Sequence, residues 1–349
     1  MKKTLLALFA FAALVSCTKD NVLENNKEAI GFNKTFIQNS VKSVSDPSFT
    51  ADNMFTDFAV YGFVEGAVLF DGTQVSKSIS NDKLTSVWKY EGTQYWIAGA
   101  NYNFNAVAPK TNGGWTKTAA TKDATKLFFT NNGTTDLLYA SAAQQGKVSG
   151  NETVAFTFNH ILSKVKFSFQ NAYNASNATI KVKDVKINNA YTKADANLTY
   201  NADGELVATW NNHATDNLVL TFGMATDDES TTATNENAEV AYAFGKTYES
   251  QNERFLIPNA VPTQTVNEET VNGYKVTFTV DLLVSGTLVK SYNHTVYADF
   301  TPVAGQSYDI KAVINAENID PDNAQEPIEF TVNKVEGWGT TNNIPEENN

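Results

Sequence analysis

The chain has almost no cysteine. Cys17 is the single thiol in 349 residues, so no intrachain disulfide can brace the fold and burial must hold it together. Histidine is nearly as scarce: His160, His213 and His294 lie far apart, and no spacing among them suggests a zinc site. There is no Gly-x-Ser-x-Gly elbow, no P-loop and no dinucleotide fingerprint. Asp320-Pro321-Asp322-Asn323 with Glu326 lacks the glycine and ligand pattern of a calcium loop and reads as an exposed acidic turn. Asp227-Asp228-Glu229 reads as a loop tip. Acids are plentiful, yet nothing marks two of them as an acid and base in a cleft. The expectation is no enzyme and no cofactor. Arginine is reduced to Arg254, and Lys plus Arg number 26 against 38 Asp plus Glu, a net charge of −12. With no basic patch to neutralise phosphates, nucleic acid is not expected as a partner. Long helical periods are missing too. Only residues 117–126 suggest a short helix, weakened by threonine. After residue 16 no apolar run is long enough to cross a bilayer as a helix, which takes about 20 residues.

What is present begins with Met1-Lys2-Lys3 and an apolar run from Leu5 to Val15, closing on Leu14-Val15-Ser16-Cys17. A cationic start, a short apolar stretch and small residues before the cut make residues 1–16 a secretory signal peptide cleaved after Ser16. The cysteine at the cut resembles a bacterial lipobox, which implies that Cys17 becomes an acylated N-terminus held in the outer membrane. Several acyl chains would make that anchoring stable. Removing residues 1–16 takes away Lys2 and Lys3 and no acid, so the remainder is more negative still. Residues 17–29 are polar and read as a linker.

From Ile30 onward the period is two. Tyr274, Val276, Phe278, Val280 and Leu282 alternate with Lys275, Thr277, Thr279 and Asp281. Ser285-Gly286 then turns the chain, and Asn112-Gly113-Gly114, Asn131-Asn132-Gly133, Asp203-Gly204 and Asn272-Gly273 are further turn signals. With 22 Phe, 14 Tyr and 5 Trp there is apolar surface for two cores, and length alone predicts two domains. The boundary is read from parity. Val154, Phe156 and Phe158 occupy even positions, whereas Val165, Phe167 and Phe169 occupy odd ones. A strand changes its buried face only through a bulge or by passing from one core to another. The reading is an all-β protein of two tandem sandwiches, 30–160 and 161–340, with a tail at 341–349. His160 sits at the switch, His294 points inward, and Trp210 and His213 fall in an expected loop. Trp115, Trp210 and Trp338 are expected to be loop-borne rings that a sugar could stack on.

Several elements resemble the fimbrillin family of Bacteroidia-type pilins. They are Ile30-Gly31-Phe32, Trp88-Lys89-Tyr90, Tyr95-Trp96, Tyr102 to Pro109, Asp136-Leu137-Leu138-Tyr139-Ala140, Phe156 to Val165, Ala304 to Tyr308 and Gly337-Trp338. The resemblance implies transthyretin-like Greek-key sandwiches, export as a lipoprotein to the cell surface, and other fimbrial subunits as partners. A host or bacterial surface ligand is a further candidate partner. It also implies that a protease removes the first strand, whose anchors are Ile30, Phe32 and Phe36, so that a neighbour's strand can fill the gap. The candidate cut is after Lys42, with Lys34 as an alternative that splits the strand. Arg254 being the only arginine, an arginine-specific protease could not make either cut. Ile328, Phe330, Val332, Val335 and Trp338 form a candidate donor strand, or they complete their own domain. The alternatives are an untrimmed anchor subunit or a non-polymerising glycan-binding lipoprotein.

Overall fold

The computed structural model describes residues 28–37, 55–79, 86–146, 153–214, 218–224 and 241–335. Among them the protein is all-β, with 22 strands and no helix. Seven strands form the largest sheet: β1 (Gly31–Ile37), β2 (Asp57–Val64), β3 (Ala67–Ile79), β4 (Ser86–Tyr90), β5 (Asn101–Ala108), β8 (Leu138–Gln145) and β9 (Thr153–His160). Their order is β1-β9-β8-β5-β2-β3-β4. The sheet curls until its ends approach each other. Ala29, just ahead of β1, bridges to Tyr95 beyond β4, and the Ile30 amide donates to Gln94 O at 2.8 Å. Trp96 N donates to Glu28 O at 3.0 Å.

One face of this sheet encloses a core to which all seven strands contribute, including Phe32, Phe58, Phe70, Trp88, Phe104, Leu138 and Phe156. The other face does not meet water. Ala59, Tyr61, Phe63, Val107 and Tyr139 form a second core with residues of a four-stranded sheet, made of β6 (Trp115–Ala120), β7 (Ala124–Thr130), β12 (Lys193–Tyr200) and β13 (Leu206–Ala214) in the order β13-β12-β7-β6. This explains the unbroken apolar run of β2, which is buried on both faces. Gly62 sits in that run because a Cβ there would come within 2.5 Å of the Phe70 ring and 3.0 Å of Phe104.

The remaining strands form a second sandwich. One sheet is β14 (Leu218–Phe222), β11 (Ala178–Ala190), β19 (Tyr274–Val284) and β20 (Thr287–Ala298), in that order. Facing it are β15 (Thr247–Glu249), β10 (Ser163–Asn171), β21 (Ser307–Ile314) and β22 (Thr331–Val335), with β16 (Arg254–Leu256) also on β10. A small hairpin, β17 (Thr263–Val266) and β18 (Glu269–Asn272), completes the set. Val165, Phe167, Phe169, Val185, Phe278 and Ile310 lie in the third core between these sheets.

The parity switch is visible as a passage through all three cores. Phe156 and Phe158 lie in the first, Ile161 and Leu162 in the second, and Val165, Phe167 and Phe169 in the third. Residue 160 does not part the strands cleanly, however. β12 follows it in sequence but pairs with β7 from the first half, and β13 joins the same sheet by pairing with β12. Two sequence expectations need correction. Residues 117–126 form no helix: Leu127 and Phe129 on β7 face the core, and cross-strand pairing with β6 and β12 overrides the local composition. The residues expected in loops are on strands instead: Trp115 opens β6, and Trp210 and His213 lie on β13, where Trp210 is 2% exposed.

Phe32 is, with Phe58, one of two hubs of the first core. It lies 5.9 Å from Phe156 in a stacked pair and edge-on to Phe58, Phe70, Tyr90 and Phe104 at 5.6–6.3 Å. Phe32→Ala is expected to cost about 3–5 kcal/mol of stability by the transfer and cavity terms together. Phe128→Ala, on the exposed side of β7, is expected to stay within about 0.5 kcal/mol. Chemical denaturation of the two variants checks the contrast.

Candidate functional site

Two places bring together the residues that the sequence singles out. The first is the slot that holds β1. This strand runs parallel to β9, with Gly31 opposite Thr153 and Ile37 opposite Phe158. It lies at the end of the sheet order, and the lead-in at Ala29 and Ile30 makes further backbone bonds to the segment beyond β4. Ile30 is 2% exposed and Phe32 fully buried. The Tyr90 hydroxyl donates to Ile30 O at 2.9 Å and accepts from Gln94 N at 3.0 Å. Burial raises the Tyr90 pKa, so the hydroxyl stays a donor at any ordinary pH. Trp96 stands edge-on to Tyr102 at 4.7 Å and to Phe104 at 6.0 Å, closing the end of the core where β1 enters. The Trp/Tyr elements noted in the sequence therefore line the bed of this strand.

The bed is held by aromatic packing and is not paired on both sides along its whole length. Removing β1 would uncover Phe156, Phe58 and Phe104 together with the β9 ladder groups. Both are what an added strand needs: unpaired backbone groups and pockets for alternate side chains.

At the opposite end of the chain, Ile328 is 7% exposed. Phe330 lies 5.7 Å from Phe167 and 6.2 Å from Phe278, and Val332 packs against the third core opposite Ile310 on β21. This segment completes its own sandwich, with β22 as the edge strand. Cys17, Ser16, Lys42 and Trp338 lie outside the described residues, as do the side chains of Lys34, Phe36 and Val335.

The second place is the junction of the two halves. Here three elements distant in sequence converge. His160 Nδ1 lies 2.5 Å from Asp136 Oδ2, both side chains being nearly buried, and Leu138 pairs with His160 across β8 and β9. Gly305 N donates to Leu162 O at 2.8 Å, and Lys164 N to Gln306 O at 2.9 Å. Gly305 has φ +70°, and a Cβ there would stand 3.2 Å from His160 O, so glycine suits this close approach. The Trp210 indole donates to Ile161 O at 3.0 Å. It is a core residue tying the sheet to the junction, a role the sequence offers only through its neighbours in space. Trp115 is half-buried and donates to Pro109 O at 2.7 Å. His213 Nε2 is bonded to Pro258 O at 2.7 Å. The hydroxyl nearest the junction, that of Ser163, is likewise engaged in packing the halves together, donating to Val303 O at 2.7 Å. Among the described residues no group of three or more His, Cys, Asp or Glu is placed to hold a metal.

The fimbrillin-like family profile matches residues 43–334, and the chain belongs to that family. The match begins one residue beyond Lys42 and leaves β1 ahead of it. No curated protein matches the chain in sequence. Among solved structures, the chain is similar to a protein provisionally described as a cell adhesion protein of Bacteroides uniformis. Identity is 16% and the TM-score 0.43, covering 88% of this chain and 97% of that one. A protein so described from Bacteroides ovatus gives 16% and 0.44, covering 89% and 96%. The fimbrial anchor protein Mfa2 of Porphyromonas gingivalis gives 12% and 0.33, covering 89% and 98%. Family membership assigns the protein a fimbrial or adhesion subunit role at the cell surface, in company with other fimbrial subunits.

His294 yields a pH test. It is 5% exposed, stacks on Phe278 at 5.0 Å and has its Nε2 buried without a partner. Burial lowers its pKa, partly offset by the Ile319 backbone and by Asp320. The unfolded chain therefore takes up this proton first as pH falls. The contribution is complete above the unfolded value of about 6.5 and is lost as pH drops below it. His294→Gln is expected to flatten the stability–pH curve between about pH 6.5 and the lowered folded pKa, as read from denaturation midpoints.

Proposed function

We propose that this protein is a lipid-tethered fimbrial subunit that polymerises by strand replacement. Cys17 carries the acyl anchor that brings it to the outer membrane. A protease that accepts lysine cuts after Lys42, β1 leaves, and a strand from a neighbouring subunit takes its bed. The observation that carries this reading is Phe32: a ring that meets five others in the first core belongs to a terminal strand at the end of its sheet. An apolar anchor on a removable element leaves a pocket of defined shape, and refilling that pocket is the driving force for assembly. The donated segment is Ile328 to Trp338, whose Ile-x-Phe spacing at 328–330 repeats that of Ile30-Gly31-Phe32.

A second reading rests on a specific observation. Ile328, Phe330 and Val332 already pack in their own sandwich, and no arginine stands near residue 42. A subunit that keeps both its first strand and its last would not polymerise and would serve as the untrimmed anchor.

Limited trypsin digestion separates the two. The polymerising subunit yields a folded product beginning at Ser43 that elutes as oligomers once residues 1–42 dissociate. Protein that resists cleavage at Lys42, or a trimmed chain that stays monomeric, supports the anchor instead.

A further inference from the structure

Asp57 opens β2, is only 4% exposed, and uses its two oxygens differently. Oδ1 accepts from Lys110 N and Thr111 N, each at 3.0 Å. Those two bonds hold the turn that follows β5 and are reason enough for an aspartate there. Oδ2 goes further. It accepts from the Thr111 hydroxyl and from Gln74 Nε2 at 2.8 Å, and Gln74 Nε2 stands 3.4 Å from Thr111 Oγ1. A hydroxyl, a primary amide and a buried carboxylate thus meet at one point. They come from three segments: Gln74 from β3, Thr111 from beyond β5, and Asp57 from β2, which lies between those strands. Lys110 Nζ donates to Gly72 O at 2.7 Å, which holds the turn against β3 independently of the three.

We propose that Thr111 and Gln74 join in a side-chain ester, formed by the protein itself with Asp57 as the base. Nucleophile and base are within hydrogen-bond reach of each other, as general-base activation of a hydroxyl requires. The amide carbon is one bond from Nε2. A turn of the exposed Gln74 side chain therefore brings it to the separation of about 3–3.5 Å from which attack begins. The Thr111 proton passes to Asp57 Oδ2 as Oγ1 bonds to Gln74 Cδ. The C–N bond then breaks, Asp57 returns the proton to the departing nitrogen, and ammonia leaves. One oxygen touches both the hydroxyl and the leaving group, so a single carboxylate serves both steps and ends as it began. The exchange of amide for ester needs no oxidant. Both reacting side chains are exposed, which gives ammonia a way out.

The bond closes a ring through residues 74–111 and spans β2, which pairs with both β3 and β5. Closing such a ring restricts the unfolded chain as a disulfide does, and a chain with one cysteine has no disulfide for the purpose. The ester clamps the interior of the seven-stranded sheet. It stands or falls independently of strand replacement at β1.

Intact-mass spectrometry of the folded full chain tests this, with Cys17→Ser to keep acyl chains out of the mass. The expected mass lies about 17 Da below that of the sequence, the loss of one ammonia. Trypsin is expected to release a branched product that joins the peptide ending at Lys77 to Thr111–Lys117, and neutral hydroxylamine, which cleaves esters and spares amides, to part it. Thr111→Val and Gln74→Ala each leave Asp57 its two backbone amides, and each is expected to restore the full mass. Thr111→Ser is expected to keep the loss. Folded protein at full mass overturns the proposal. A loss that survives in Thr111→Val arises elsewhere, as a succinimide at an Asn-Gly pair would, and overturns it as well.

Discussion

The stacking of Phe32 on Phe156 is the interaction on which the first half of the molecule depends. It places a ring from the first strand at the centre of a core to which seven strands contribute. Fully burying a side chain of this size is worth about 1.5–3 kcal/mol. The edge-to-face neighbours add to that. A terminal strand is thus made indispensable by packing, while its ladder is made mainly with β9 and so stays separable. Strand replacement as proposed here requires both of these properties in one element.

The same economy of means governs the second core. Because β2 buries both faces, the large sheet is sandwiched between its own curled interior and the sheet of β6, β7, β12 and β13. Trp210 and the Asn131 side chain, which donates to Phe255 O at 2.9 Å, then join the halves through the junction. With no disulfide available, stiffness along the axis comes from this shared core and from the passage of β9 into β10. A subunit that carries load end to end needs such continuity.

Much of this was legible in the residues. Alternation marked β9, β10 and β19, and Ser285-Gly286 marked a hairpin whose two turn residues take φ of +50° and +79°, as that turn type requires. The even-to-odd shift marked the change of core. Other features were hidden for physical reasons. β6 and β7 are rich in alanine, threonine and lysine, and only pairing with distant β12 makes them strands. That β12 and β13 return to the first half is a long-range choice with no local signature. The β17–β18 turn uses Asn267 and Glu268 at φ +49° and +71° without a glycine to announce it. Trp210 gave no sign of burial, since the residues around it are polar and its partners come from elsewhere. For the site, Ile30 and Phe32 were found by alternation, but Tyr90, Trp96 and Phe156 as the bed of β1 could emerge only from the fold.

The most direct measurement of the central idea is binding of a synthetic peptide spanning residues 328–338 to protein trimmed at Lys42, followed by native mass spectrometry. One peptide per trimmed chain, weakened when Phe330 is alanine and absent with the untrimmed protein, is the predicted result. Equal binding to both forms, or none to the trimmed chain, would contradict the account.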